Sequence, residues 1–226
     1  MGGDLCVGGI VPLTTVDYPG YLSTVIFLQG CNWKCRYCHN PHLQSMAAPE
    51  FFSWEDVLDL LRLRRGLVEA VVFSGGEPLL QLGLPEAVAD VAALGFRVGL
   101  HTSGAFPDRL EGIVSSLQWV GFDLKYSFES YQFITGIDDS GEVALASLKI
   151  LLKSNVDFET RMTVHESMEI AAIVEVLEEI SGLGVKNVVL QKCRDKNENV
   201  VEHPIFSDKL LLESIARRFD SFHVRE

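Results

Sequence analysis

Three cysteines within eight residues, Cys31, Cys35 and Cys38, carry the most informative chemistry in this sequence. The chain has five cysteines, an odd number that does not suit a disulfide framework, and clustered thiols in a reducing compartment more often bind metal. Three thiolates on one tight loop could hold three corners of an iron–sulfur cubane and leave the fourth iron without a protein ligand. Because an open coordination position can accept a substrate, the spacing indicates a metal centre that takes part in a reaction.

A structural zinc site is the alternative for the same segment. Cys3His is a common ligand set for zinc, and His39 directly follows the third cysteine. Trp33 and Tyr37 could then simply pack over the loop. Cys6 and Cys193 stand alone in the sequence, and neither is assigned to a site.

The elements that must position these residues alternate between short apolar runs and longer amphipathic ones. The strand candidates, rich in Val, Ile and Phe as strands of a buried parallel sheet are, are Thr24–Gln29, Ala70–Ser74, Arg97–His101, Trp119–Asp123, Phe158–Val164 and Asn187–Gln191. The helix candidates are Ser53–Leu63, Pro85–Leu94, Pro107–Leu117, Glu142–Ser154, Met168–Leu183 and Asp208–Phe219. This alternation predicts six βα units of a parallel α/β sheet, arranged as an open barrel or as a flat doubly wound sheet.

Polar segments of unusual composition follow several of the strand candidates. These segments are the cysteine loop, Gly75-Gly76-Glu77-Pro78, Thr102-Ser103-Gly104 and Lys125. Because loops at the carboxyl ends of parallel strands build the sites of both architectures, we expect these segments to meet at one edge of the sheet. Gly8-Gly9 and Asp17-Tyr18-Pro19-Gly20 predict turns in an N-terminal extension over about residues 1–21, which could form a hairpin.

The length of 226 residues suits a single domain, which we expect to span residues 1–226. Hydrophobic residues make up 47% of the chain and charged residues 22%, which excludes intrinsic disorder. With 19 Lys and Arg against 31 Asp and Glu, the net charge is −12, so nucleic acid is not expected as the main partner. No apolar run approaches the ~18–20 residues of a membrane span, and the first residues lack a signal-peptide pattern. We therefore expect no membrane association and a cytoplasmic location.

The segment Phe27–Pro41, FLQGCNWKCRYCHNP, resembles the cluster loop of radical S-adenosylmethionine (SAM) enzymes. Its Gly-Cys-Asn-Trp opening and Cys-His-Asn-Pro ending are most similar to the activating enzymes of glycyl radical enzymes, above all those of anaerobic ribonucleoside-triphosphate reductase and pyruvate formate-lyase. The segment Asp17–Gly20 resembles their N-terminal segment, and the resemblance continues to about Lys192. It implies the radical SAM core, a partial (β/α)6 barrel of the TIM-barrel type.

The same resemblance implies one [4Fe–4S] cluster whose open iron is chelated by the amino and carboxylate groups of SAM. Gly75, Gly76 and Glu77 resemble the motif that binds the SAM amino group. Asp123 and Lys125 resemble a motif that would bind the ribose hydroxyls and the SAM carboxylate, respectively. The cluster ligands would be Cys31, Cys35 and Cys38. Further cofactor contacts are expected for Tyr37, Cys38, His39, Ser103, Arg161 and Gln191; Ser103 and Gln191 are placed there because they lie at strand ends, and Arg161 because it resembles a family arginine.

Several of these assignments have a plainer structural alternative. Residues 75–78 could form an ordinary turn, and Asp123 with Lys125 could be an exposed ion pair at a strand end. Arg161 could belong to a buried structural ion pair. His101 departs from the acidic residue that many pyruvate formate-lyase activases carry at this place, so a cation site there is not carried over.

What the resemblance implies is an anaerobic radical SAM oxidoreductase. Flavodoxin or ferredoxin would deliver one electron, SAM would be cleaved to methionine and a 5′-deoxyadenosyl radical, and this radical would take a hydrogen atom from a glycine Cα of a partner enzyme. Anaerobic ribonucleotide reductase is the leading partner. No general acid or base is assigned, because the cofactor carries the chemistry. The alternatives are a small-molecule radical SAM enzyme, such as a 7-carboxy-7-deazaguanine synthase, and a zinc-stabilised α/β binding module.

Overall fold

Eight β-strands form one sheet in the computed structural model, which describes residues 5–46, 52–195, 197 and 199–226. The strands are β1 Val7–Thr14, β2 Ser23–Leu28, β3 Ala70–Gly75, β4 Arg97–Thr102, β5 Trp119–Leu124, β6 Asp157–Val164, β7 Asn187–Lys192 and β8 Ser221–Arg225. Their order in the sheet is their order in the chain. β1 pairs antiparallel with β2, and all later neighbours are parallel, so the carboxyl ends of β2 to β8 lie at the same edge.

Helices connect the parallel strands. Within the described residues the α-helices are α1 Trp54–Arg64, α2 Leu84–Ala93, α3 Pro107–Ile113, α4 Gln132–Thr135, α5 Ser140–Lys153, α6 Ile170–Leu183 and α7 Lys209–Ala216. Each strand from β2 to β7 is followed by a helix, which gives the six predicted βα units, and β1 and β8 flank them. None of the helices that the structure describes is long and apolar enough to cross a membrane.

Two separate cores lie on the two faces of the sheet, because successive strand residues point to opposite faces. Val71, Phe73 and Leu100 belong to the larger core, which also contains the buried helix residues. The smaller core on the other face consists of Tyr18, Val25, Ala70, Val72 and Trp119. In the part of the chain that the structure describes, helix residues contribute to the larger core alone. This one-sided cover distinguishes an open barrel from a doubly wound sheet, whose helices cover both faces.

The N-terminal extension is part of the sheet. Its strand β1 and the turn after it form the expected hairpin with β2. The turn predicted at Gly8-Gly9 is wrong, because both glycines lie inside β1, where the register with β2 shifts between Val7 and Gly9. Tyr18 of this turn is 2% exposed and packs on Trp119, with ring centroids 5.1 Å apart. The extension therefore closes the inner face of the barrel at the amino ends of the parallel strands.

All six predicted strands are confirmed, with ends within one residue of those expected. The predicted cap of the first helix is also confirmed, because Ser53 Oγ accepts a hydrogen bond from the Asp56 amide at 3.2 Å. The predicted helix 107–117 is wrong in its second half, where the chain tightens into a 3₁₀ turn at Val114–Ser116. β8 was not predicted. Its five residues form a partly exposed edge strand, which lacks the apolar run of the buried strands.

Candidate active site

One cavity of about 190 Å³ opens at the carboxyl ends of strands β2 to β7. With the exception of Glu77, every residue predicted to bind the cluster or SAM lines it: Cys31, Cys35, Tyr37, Cys38, His39, Gly75, Gly76, Ser103, Asp123, Lys125, Arg161 and Gln191. The lining residues without a predicted ligand role are Trp33, Asn40, Gln44, Ser74, His101, Thr102 and Thr163. Strand periodicity could have identified Thr163, because it lies two residues after Arg161 and so shares its face of β6.

The cysteine loop, residues 30–45, follows β2 and packs against α4. The amide of Lys34 donates to the carbonyl oxygen of Thr135 at 2.9 Å, and the amide of Arg36 donates to that of Ile134 at 3.2 Å. Trp33 inserts below the loop, 2% exposed, edge-on to Tyr131 at 5.7 Å between ring centroids. No pattern in the sequence indicates this support, because α4 has only four residues.

The three cysteines of the loop are half-buried free thiols. Burial raises the pKa of Cys31 to about 11 and also raises the pKa of Cys35, so both are protonated at neutral pH until a metal displaces the proton. The amide of Trp33 donates to Cys31 Sγ at 3.4 Å, a contact that favours the thiolate. Three sulfur donors on one cavity wall suit an iron–sulfur cluster.

A single-ion site is not formed by these side chains. Among the described residues, no three His, Cys, Asp or Glu side chains converge closely enough to hold one metal ion. Thiolates at the corners of a cubane bind different iron atoms and need not converge on one point. The arrangement therefore fits the cluster better than the zinc alternative with His39.

Gly75 and Gly76 end β3 against the base of the cysteine loop. Gly75 has a φ of +123°, a conformation that favours glycine. A Cβ on Gly75 would overlap the carbonyl oxygen of Leu28, and a Cβ on Gly76 would overlap that of Gly30. The two glycines are thus required for strand-to-loop packing, and both line the cavity.

Glu77 is fully buried and lies outside the cavity. Its Oε1 accepts from Thr102 Oγ1 at 2.8 Å and from the Leu79 amide at 3.1 Å. Its Oε2 accepts from the amide of Ser103 at 2.9 Å and from its hydroxyl at 2.5 Å. Burial raises the pKa of Glu77 although these hydrogen bonds oppose the shift. The expectation that the Glu77 carboxylate faces a ligand is therefore corrected: it ties the loop after β3 to the loop after β4.

Asp123 and Lys125 form an ion pair at the end of β5, with Lys125 Nζ 3.2 Å from Asp123 Oδ2. Burial alone would raise the pKa of Asp123, but Lys125 and then Arg161 hold it below its usual value. Burial alone would lower the pKa of Lys125, but Asp123 keeps it well above its usual value. The amide of Lys125 donates to Tyr131 Oη at 2.9 Å, which fixes the strand end. Both side chains are charged at neutral pH and face the cavity.

Arg161 is 6% exposed and combines the two roles that the sequence left open. Its Nε donates to Glu159 Oε1 at 2.7 Å, so it belongs to a buried ion pair. Its guanidinium carbon lies 5.0 Å from the ring centroid of Trp119, in the space that Gly121 leaves open. Arg161 also lines the cavity. Its Nη2 is buried against Gly121 and has no hydrogen-bond partner among the described residues.

Tyr37 offers a flat surface at the cavity. Its ring stacks on His165 at the end of β6, with centroids 5.8 Å apart and planes 23° apart. Lys125 Nζ lies 6.0 Å from the centroid of the Tyr37 ring. The Tyr37 hydroxyl is buried without a hydrogen-bond partner in the described part of the chain, and burial raises its pKa.

Comparison with known families identifies the class to which this fold and site belong. The family model described as the Radical SAM superfamily matches residues 25–180, more than half of the chain. The chain therefore belongs to the radical SAM superfamily and is a radical SAM enzyme. The cofactors of this superfamily are a [4Fe–4S] cluster and SAM, which the three thiols and the cavity beside them fit.

Two relatives within this superfamily are named as activating enzymes. A protein of Methanocaldococcus jannaschii, named by inference a glycyl-radical enzyme activating enzyme, is 32% identical over 94% of this chain and 92% of its own length. The pyruvate formate-lyase-activating enzyme of Clostridium pasteurianum is 36% identical over 58% of this chain and 57% of its own length.

Solved structures share the fold at low sequence identity. QueE from Escherichia coli superposes with a TM-score of 0.59 at 18% identity, covering 96% of this chain and 92% of QueE. SuiB of Streptococcus suis, bound to the precursor peptide SuiA, gives 0.68 at 12% identity, covering 89% of this chain and 48% of SuiB. These likenesses show the fold alone.

Proposed function

We propose that this chain installs a glycyl radical on a partner enzyme. The observation that carries the proposal is the near full-length similarity to the Methanocaldococcus jannaschii protein, which is named for this activity. The Cys-His-Asn-Pro ending of the cysteine loop, at residues 38–41, supports it. When bound, the reduced cluster with SAM supplies a 5′-deoxyadenosyl radical, and this radical takes a hydrogen atom from a glycine Cα.

The roles of the chain's residues follow from their positions on the cavity wall. Cys31, Cys35 and Cys38 would hold three irons and leave the fourth to SAM. Backbone oxygens of Gly75 and Gly76, which line the cavity, would accept from the SAM ammonium.

On the far side of the cavity, the charged Lys125 would pair with the SAM carboxylate and Asp123 would accept from the ribose hydroxyls. Residues that we propose to complete the walls, orient SAM and exclude water are Tyr37, His39, Ser103, Arg161 and Gln191. Glu77 would not contact SAM itself. It would position the loop that carries Ser103, through the hydrogen bond that it accepts from the Ser103 amide.

The partner is proposed to be a glycyl radical enzyme, with anaerobic ribonucleotide reductase as the first candidate. Glycine suits the reaction because its Cα–H is not shielded by a side chain and can enter a narrow cavity on a loop. The electron donor is proposed to be flavodoxin or ferredoxin, and the location to be cytoplasmic.

The cleavage reaction tests the assignment of the cluster. Anaerobically reconstituted protein with dithionite and SAM should form 5′-deoxyadenosine, measured by liquid chromatography and mass spectrometry. Cys35→Ala should abolish this product, because one corner of the cluster loses its ligand. Cys193→Ala is the matched control, since Cys193 is buried away from the cavity, and it should retain the product. Product formation by Cys35→Ala would refute the assignment.

Isotope transfer tests the partner. Glycine labelled with deuterium at Cα is incorporated into the candidate reductase, and deuterium should then appear in 5′-deoxyadenosine. A small-molecule radical SAM enzyme is the second candidate, because the fold alone, which QueE shares over 96% of this chain, does not separate the two functions. For that function, the cleavage reaction would proceed without any deuterium transfer from a glycyl radical enzyme.

A further inference from the structure

The two ends of the cysteine loop lie side by side. The amide of Gly30 donates to the carbonyl oxygen of Leu43 at 2.7 Å, and the amide of Cys31 donates to that of Gln44 at 3.0 Å. Cys31 lies at the first of these ends, and Cys35 and Cys38 lie between the two. Whatever fixes the ends therefore limits where the three sulfur atoms can be.

The side chain of Gln29 binds the C-terminal end of the cysteine loop. Its side-chain amide nitrogen donates to the carbonyl oxygens of His42 at 2.8 Å and Ser45 at 2.6 Å. A primary amide has two hydrogens to donate, and each finds one of these carbonyls. Gln29 is 3% exposed, so water does not compete for these hydrogen bonds. Gly8 leaves the room for this side chain, because a Cβ there would lie 2.5 Å from Gln29 Oε1.

Gln81 holds Gln29 in place. Its amide nitrogen donates to the backbone carbonyl oxygens of Gln29 at 2.7 Å and Cys6 at 2.9 Å. Its Oε1 accepts from the Cys6 amide at 2.7 Å. Gln81 is 5% exposed and follows the Gly75–Pro78 segment. The N-terminal segment, the base of the cysteine loop and the loop after β3 thus share one hydrogen-bond network.

We propose that Gln29 and Gln81 are positioning residues that hold the cysteine loop in the shape that receives the cluster, before any metal binds. The inference deepens the proposed function and rests on it. A loop of this length is costly to order, and hydrogen bonds formed in advance remove that cost from the binding step. Neutral amides satisfy the four carbonyls without adding negative charge beside thiolates and an anionic cluster.

The first test uses the metal-free chain and follows amide hydrogen exchange. Gln29→Glu keeps the size of the side chain but replaces the amide nitrogen, and with it both N–H donors, by a carboxylate oxygen that faces two carbonyls. The amides of Gly30 and Cys31 should then exchange at least about tenfold faster, as expected when two buried hydrogen bonds are lost. Gln118→Glu is the matched control, because Gln118 Oε1 accepts from the Val98 amide at 2.7 Å and a carboxylate can do the same.

The second readout is the cluster itself. After anaerobic reconstitution, Gln29→Glu should bind less than half of the iron and sulfide of the wild type, and the electron paramagnetic resonance signal of the reduced cluster should change. Far-UV circular dichroism should remain that of the wild type. The control variant should match the wild type in every measurement.

The possible outcomes separate this inference from the proposed function. Unchanged exchange in Gln29→Glu, or faster exchange with unchanged cluster loading and signal, would overturn the positioning role. A wild type that binds no iron and sulfide would overturn both the proposed function and this role. A wild type that loads a cluster but forms no 5′-deoxyadenosine would overturn the function alone. Should Gln29→Glu fail to fold, Gln29→Asn, an uncharged amide one methylene shorter, is expected to give the same local changes.

Discussion

At the scale of single residues, the Nε2 atom of His101 faces two partners with opposite requirements. It lies 2.8 Å from the carbonyl oxygen of Asp17 and 3.1 Å from Nη1 of Arg161. Burial and, after it, the Arg161 charge lower the pKa of His101 to about 4, so the ring is neutral at pH 7. A neutral ring can donate from Nε2 to Asp17 or accept there from Arg161, but not both. The site therefore tolerates a neutral ring and resists an imidazolium.

A fall in stability at mildly acidic pH follows from this pKa. Between pH 6.5 and 4 the unfolded chain binds a proton at this histidine and the folded chain does not, so the free energy of unfolding decreases as the pH falls. The wild type should lose about 1–2 kcal/mol more than His101→Gln between pH 7 and pH 5, from the size of the shift. Urea unfolding of the metal-free chains at both pH values measures the difference. Equal losses in the two chains would contradict the assigned pKa.

The sequence was enough to predict those site residues whose positions depend on spacing within one short segment of the chain. The cysteine loop is one continuous segment, and Asp123 and Lys125 share a face because a strand repeats every two residues. The direction of Glu77 could not be predicted, because its four donors come partly from the loop after the next strand. Gln29 lies within the segment Phe27–Pro41, but its hydrogen bonds to His42 and Ser45 depend on how the cysteine loop folds back toward β2.

At the scale of elements, apolar runs predicted the buried strands well because parallel strands covered on one side by helices and on the other by an inner core admit few polar residues. The same signal fails for β8, an edge strand of five residues with partly exposed side chains. It also fails for α4, since four residues cannot display a helical period. Both missed elements are short, and α4 directly supports the cysteine loop.

The start of α5 packs against the backbone before α4 so closely that only glycine fits. A Cβ on Gly141 would overlap the carbonyl oxygen of Phe128, whose ring stacks on Tyr131 at 5.9 Å between centroids. Gly141→Ala should therefore lower the free energy of unfolding by about 1–3 kcal/mol, the usual cost of overpacking. Denaturant unfolding of the metal-free chain measures this change.

Gly182 in α6 provides the matched control. A Cβ there would meet no atom within 4 Å, so Gly182→Ala should raise the free energy of unfolding by about 0.5–1 kcal/mol through the better helix propensity of alanine. The same substitution thus has opposite signs at two helical positions. A loss of stability in both variants would contradict the packing that distinguishes them.

At the scale of the whole molecule, the sheet order is the chain order, so each βα unit packs mainly on its sequence neighbours and the fold follows from six local predictions. The position of the N-terminal extension is a long-range result. Tyr18 reaches Arg97, whose Nε donates to Tyr18 Oη at 3.2 Å across 79 residues of sequence. No local pattern in residues 15–22 indicates that this turn closes the inner face of the barrel.

The net charge of −12 makes self-repulsion a property of the entire chain. Salt shortens the range of this repulsion, since the Debye length falls from about 30 Å at 0.01 M to about 10 Å at 0.1 M. Surface ion pairs such as Arg218 with Glu178 weaken as well, but each contributes only about 0–1 kcal/mol. The excess of 31 acidic over 19 basic residues therefore decides whether salt raises or lowers the stability of the fold. We expect sodium chloride to stabilise the metal-free chain.

Thermal unfolding at pH 7.5 in 0.01 M and 0.2 M sodium chloride measures this effect. The melting temperature should rise by about 2–4 °C, which corresponds to about 1 kcal/mol for a chain of this size. The same comparison near the isoelectric point of about 4.9 is the control, because repulsion between like charges is then balanced by attraction and the rise should disappear. A melting temperature that falls with salt at pH 7.5 would mean that surface ion pairs such as Arg218 with Glu178, rather than net charge, dominate the electrostatics of the fold.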